Sequence, residues 1–183
     1  MSGRLASVLD AIDAANSVDP GLEDDEGAMR PAALLYGQRM SAELEGIDAQ
    51  ASELLRIAAR GQHIERWKLS RQDYPENREG YLAWRRDQAR AHGERVGGLM
   101  AVAGYDGTDC GRVAQMLRKE GMKLDTEVQV LEDAACLVFL RWYFEDFAAG
   151  RETGDVERIV AKTARKMSAR GRERAAEEFG LSI

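Results

Sequence analysis

The chain has little of what usually anchors a functional reading. Two cysteines in 183 residues, Cys110 and Cys136, exclude a disulfide scaffold and a cysteine-built zinc finger. Cys136 stands in an apolar run and reads as a small buried hydrophobe, while Cys110 follows Gly107-Thr108-Asp109 at a turn or helix start. Three prolines leave few enforced breaks in helices. No apolar run approaches the roughly 20 residues that a bilayer-spanning helix needs. The opening Met1-Ser2-Gly3-Arg4-Leu5 lacks the apolar centre of a secretory signal. The expectation is a cytoplasmic protein with no membrane contact. A basic excess is also missing: the formal net charge of −6 argues against general nucleic-acid binding. Histidine is scarcest among the residues that do chemistry, with only His63 and His92.

What is there is helical. A hydrophobic fraction of 44% beside 32% charged residues describes a globular chain, long enough for one buried core. Leu5, Val8, Leu9 and Ile12 recur at helical spacing, predicting a first helix over about 4–16 that Asp19-Pro20-Gly21 stops. The acidic stretch Glu23-Asp24-Asp25-Glu26 reads as an exposed loop to Ala28. Pro31 suits the first turn of a second helix running to about Leu44, and a third follows Gly46 with His63 near its end. Residues 67–77 read as a loop, and 78–103 as a long helix. Thr108 or Asp109 caps the next helix, to about Glu120. The segment 125–149 is the most apolar helix and therefore central, and 153–179 forms one or two amphipathic helices. No strand signal stands out. The reading is all-α, one helical domain over 1–183: an N-terminal helix with its acidic loop over 1–30, core helices over 31–150, and C-terminal packing helices over 151–183.

Three features carry possible chemistry. His63 and His92 lie on separate predicted helices, and Glu132-Asp133 sits inside the most apolar one. A buried carboxylate is costly unless paired, hydrogen-bonded or bound to metal, so Asp133 is either a site residue or half of a structural ion pair, with Arg60 or another core arginine as partner. Two imidazoles and a carboxylate from separate helices are the minimum for a metal or acid–base site. A pair of histidines with only local hydrogen bonds is the plainer alternative. The third feature is a locally basic stretch from Arg60 to Arg95. In it Arg60, Arg66, Arg78 and Arg85, with Tyr81 and Trp84, can line an anion site, since guanidinium matches phosphate geometry and aromatic rings stack on bases. A solvated face with salt bridges to Asp73, Glu76, Glu79 and Asp87 explains the same residues without a ligand.

Several long strings resemble an uncharacterised family, DUF4202. They are Leu34-Leu35-Tyr36-Gly37-Gln38-Arg39-Met40, the run from Ala51 through Gln62-His63-Ile64-Glu65-Arg66-Trp67, Gly80-Tyr81-Leu82-Ala83-Trp84-Arg85, and the run from Leu124 to Leu140. A second resemblance, to the HD superfamily of helical metal-dependent phosphohydrolases, rests on His63 as a first histidine, His92 as the second, and Asp133 opening a buried helix. It implies an HD-domain/PDEase-like fold. One divalent ion (Mn, Fe, Zn or Mg) would sit at His63, His92 and Asp133, and the substrate would be a small phosphorylated or nucleotide-like anion. Glu132 would serve as base or extra ligand, and Lys119 would assist. The chain departs from that pattern at Gly93, where the family's pair carries an Asp, so the implied site is mononuclear. The alternatives are a helical anion-binding or partner-binding protein that has lost the metal, and an iron-dependent oxygenase of the same superfamily.

Overall fold

A computed structural model describes residues 3–180. They fall into two compact units, one ending at Glu120 and the other beginning at Gly121. The chain is mostly helical, with nine α-helices and one small two-stranded sheet among the described residues, where an all-helical chain with no strand was expected.

The first unit begins with α1 (Gly3–Asn16), which buries Leu5, Val8 and Ile12, and α2 (Ala32–Ile47), which buries Leu35, Met40 and Leu44. Next come α3 (Glu53–Gly61), α4 (Arg78–Val102) and α5 (Gly107–Leu117). Each start has a reason in the sequence. Ser52 accepts from the Leu55 amide at 3.1 Å, Asn77 from Gly80 at 2.8 Å and Asp106 from Asp109 at 2.9 Å. The cap of α5 is thus Asp106 rather than Thr108 or Asp109, and α3 begins several residues later than Gly46 suggests. Fully buried Leu, Ile and Met side chains such as Ile12, Met40, Leu55 and Met100 each contribute about 1.5–3 kcal/mol of apolar burial.

Two helix crossings in this unit need glycine. A β-carbon on Gly37 would meet the Arg60 carbonyl at 2.7 Å, and one on Gly93 would meet Ala114 at 3.1 Å. Gly93 therefore marks a tight α4–α5 seam, and a carboxylate at that position would have to push Ala114 aside.

The acidic stretch is not a loop. Residues Leu22–Asp25 (β1) pair antiparallel with Ala28–Pro31 (β2), with Leu22 opposite Pro31. The link Glu26-Gly27 has φ of 56° and 89°, the left-handed pair of a type I′ hairpin turn. Charge holds this hairpin where β propensity does not. Arg30 reaches Asp25 at 2.8 Å, and Arg39 from α2 reaches Glu23 at 3.1 Å and Asp25 at 3.4 Å.

The second unit is built on α6 (Thr126–Val138), capped by Asp125 and almost wholly buried. The expected long helix over 125–149 is broken by a π-helical turn at Phe139–Tyr143, then resumes as α7 (Phe144–Ala148). Phe139 packs edge-on against Phe144 and Phe147, with ring centroids 6.0 and 5.6 Å apart. The amphipathic tail is two helices, α8 (Thr153–Lys166) and α9 (Ala169–Phe179), separated at Met167-Ser168.

Candidate functional site

His63 lies just beyond α3, where the chain turns sharply. Glu65 takes the left-handed conformation at φ 50°, and its amide donates to Asn16 Oδ1 at 2.9 Å. Asn16 is itself buried and donates to the Ala33 carbonyl at 3.3 Å, so α1 and α2 together pin the turn. The segment after it is held from α4. Gln88 Nε2 donates to the carbonyls of Arg66 at 2.8 Å and Leu69 at 2.9 Å, and Trp84 Nε1 donates to Leu69 at 3.0 Å. Trp84, Gln88 and His92 recur every four residues and so share one face of α4. That face brings His92 to His63, with ring centroids 6.1 Å apart.

The His63 ring is stacked on Tyr36 of α2 at 3.7 Å between centroids and 16° between planes. It is only half-buried, yet desolvation is the leading cause that holds its pKa well below the usual imidazole value. The cations Arg66, Lys119 and Arg85 push it the same way, as does His92. His92 is 5% exposed. Burial first and Arg66 second lower its pKa to about 3, against a hydrogen bond to the Gln62 backbone that favours the protonated ring. Both imidazoles are therefore neutral near pH 7, and each keeps one lone pair. On His92 that nitrogen is Nε2, which is buried and has no hydrogen-bond partner.

The cations are assembled in the same region. The Arg66 guanidinium lies over the Trp84 ring, 4.6 Å from its centroid, and desolvation lowers its pKa, as does Arg85. Arg85 stands 5.9 Å from the Tyr81 ring centroid. Among the described residues no carboxylate pairs with Arg66 or Arg85. Lys119 sits at φ 56°, a strained conformation for lysine. Arg85 is exposed and Arg66 half-buried, and a partly desolvated cation without counter-charge is costly. Neutral imidazoles with a free lone pair suit a divalent ion, and the guanidiniums beside them suit an anion.

The expected site residues divide. His63, His92, Arg66, Arg85, Tyr81, Trp84 and Lys119 all belong to this region of the first unit. Arg60 is engaged by a carboxylate of α1, its Nε lying 3.2 Å from Asp13 Oδ1. Arg78 is exposed at the start of α4. Of the carboxylates in the plainer reading, Asp87 accepts from the Tyr74 hydroxyl at 2.9 Å, while Lys68 and Arg95 of the basic stretch pair with Glu65 at 2.9 and 3.1 Å.

Glu132 and Asp133 belong to the second unit, where both are buried. Glu132 lies 3.3 Å from Lys166 Nζ. Asp133 accepts from the Ser168 amide at 2.8 Å, the Ser168 hydroxyl at 2.5 Å and Gln129 Nε2 at 3.0 Å. Ser168 is in turn the N-cap of α9, so Asp133 fixes a helix start. Among the described residues no group of three or more His, Cys, Asp or Glu side chains gathers as a metal site. Sequence reasoning passed over Tyr36, Gln62 and Gln88. The four-residue spacing of Trp84, Gln88 and His92 was a signal for the last; nothing local marked the other two.

The family described as "Domain of unknown function (DUF4202)" matches residues 6–182 of the chain. No curated protein and no solved structure matches it.

Proposed function

Since the chain belongs to the DUF4202 family, described only as a domain of unknown function, we propose its function from the site alone: it binds a small phosphorylated, nucleotide-like anion and hydrolyses it. The observation that carries this reading is Arg66, desolvated beside Arg85 with no carboxylate to neutralise either. A phosphate supplies that counter-charge and accepts the bidentate guanidinium geometry. Trp84 positions Arg66 by lying under it, and Tyr81, 42% exposed, stands at the rim where a base or sugar ring can rest. Lys119 adds a third cation.

The resemblance to the HD superfamily supplies the reaction. His63 and His92 would hold one divalent ion, whose contribution is to acidify a bound water and neutralise phosphate oxygens. Asp133, the third ligand in that resemblance, would have to release Ser168 and Gln129 to serve. That cost favours a second reading, a non-catalytic anion-binding module. Calorimetric titration with inorganic phosphate and a nucleotide panel tests the common part. Binding that Arg66→Met weakens about tenfold or more supports it, and no binding at low salt ends it. Phosphate release from the same panel with and without Mn²⁺ then separates the hydrolase from the binding module.

A further inference from the structure

Two buried acceptors in this region are left over by an anion site. His92 Nε2 and Gln62 Oε1 have no hydrogen-bond partner, on side chains only 5% and 8% exposed. The two residues are joined through the main chain, because the His92 ring is hydrogen-bonded to the Gln62 backbone. That bond uses the other ring nitrogen, which leaves the Nε2 lone pair for something else. An orphaned buried acceptor loses its hydration and regains nothing, so structures rarely keep one without an occupant. A fully ionised phosphate carries only acceptors. It neutralises Arg66 and Arg85 and leaves both orphans as they were.

We infer, on the anion-binding reading above, that the ligand also carries a hydrogen-bond donor next to its phosphate, received by His92 Nε2 and Gln62 Oε1. The ligand class is then a phosphorylated polyol, such as the sugar-phosphate part of a nucleotide, and these two residues set specificity against phosphate esters without hydroxyls. A site built to hydrogen-bond a hydroxyl rejects the analogue lacking it, because the acceptor stays buried and unpaired.

The test is calorimetric titration of the full chain near pH 7.5 with glycerol 3-phosphate and with n-propyl phosphate, which lacks the hydroxyls. Glycerol 3-phosphate should bind about tenfold more tightly or better. His92→Phe should bring the two affinities together, because the acceptor that tells the two esters apart is gone. Should that variant fail to fold, the ¹⁵N signal of His92 Nε2 in the unaltered protein decides: it should move with glycerol 3-phosphate and stay with n-propyl phosphate. Equal affinities with an unmoved signal give the acceptors to water and overturn the inference. A shift produced by Zn²⁺ alone gives the lone pair to a metal and overturns it as well. If neither phosphate binds, the anion site itself falls, and the inference with it.

Discussion

Two buried polar side chains, one in each unit, are treated in opposite ways. In the second, Asp133 is buried and satisfied: three donors reach its two oxygens, all from within the unit. In the first, His92 is equally buried and left with a bare nitrogen, and Arg66 is desolvated without a counter-ion. A satisfied buried carboxylate is part of the scaffold. Unsatisfied imidazole and guanidinium groups are costs the fold carries for a ligand. In sequence the two regions already differ, since Asp133 stands in an apolar run and His92 closes a basic one.

The sharpest way to break the comparison is to remove Asp133. Asp133→Ala should cost about 3–5 kcal/mol in urea unfolding, because it strands the Ser168 amide and the start of α9. If Asp133 were instead a ligand waiting for metal, stability would hold. Gly93→Asp comes next. It restores the carboxylate of the HD pattern but forces a side chain into the α4–α5 seam. It should destabilise by about 1–3 kcal/mol and gain no metal affinity, read by urea unfolding and by metal content.

Arg66→Met inverts the expectation for Asp133. Phosphate affinity should fall about tenfold to a hundredfold in calorimetry. Stability without phosphate should be unchanged or higher, since an unpaired buried charge is gone.

A further effect is graded by pH. Both histidines are held neutral in the fold, so below pH 6.5 the unfolded chain takes up protons that the folded chain refuses. Stability is complete above that point and declines as pH falls toward about 3, the value for His92. His92 alone contributes a slope of about 1.4 kcal/mol per pH unit in that window. Thermal unfolding across pH 4–7 should show the decline, and phosphate should flatten it by offsetting the field of Arg66.

Much of the fold was legible because helical periodicity is a strong local signal. Leu5, Val8 and Ile12 announced α1, and the apolar run around Leu131 and Leu137 announced the buried α6. The hairpin was not, because Leu-Glu-Asp-Asp has no β propensity. Arg30 and Arg39 hold it, the second from another element. The π turn at Phe139–Tyr143 was hidden for a related reason, as hydrophobicity continues through it. In the site, the two histidines and Arg66, Arg85, Trp84 and Tyr81 were legible by residue type. Asp133 was rightly read as needing partners, but those partners are Ser168, far along the chain, and Gln129, one helical turn before it. Neither is a charged residue of the kind the sequence led us to seek.

That distant partner has a kinetic consequence. The Asp133–Ser168 clamp joins positions 35 residues apart. Closing a loop of this length depends only weakly on the number of residues but must be completed before any of its contacts return energy. The start of α9 is therefore secured late, by one residue, and lost when that residue lets go. Amide hydrogens of α9 should exchange together rather than fray from the end, as one small cooperative opening beneath the global unfolding of the chain.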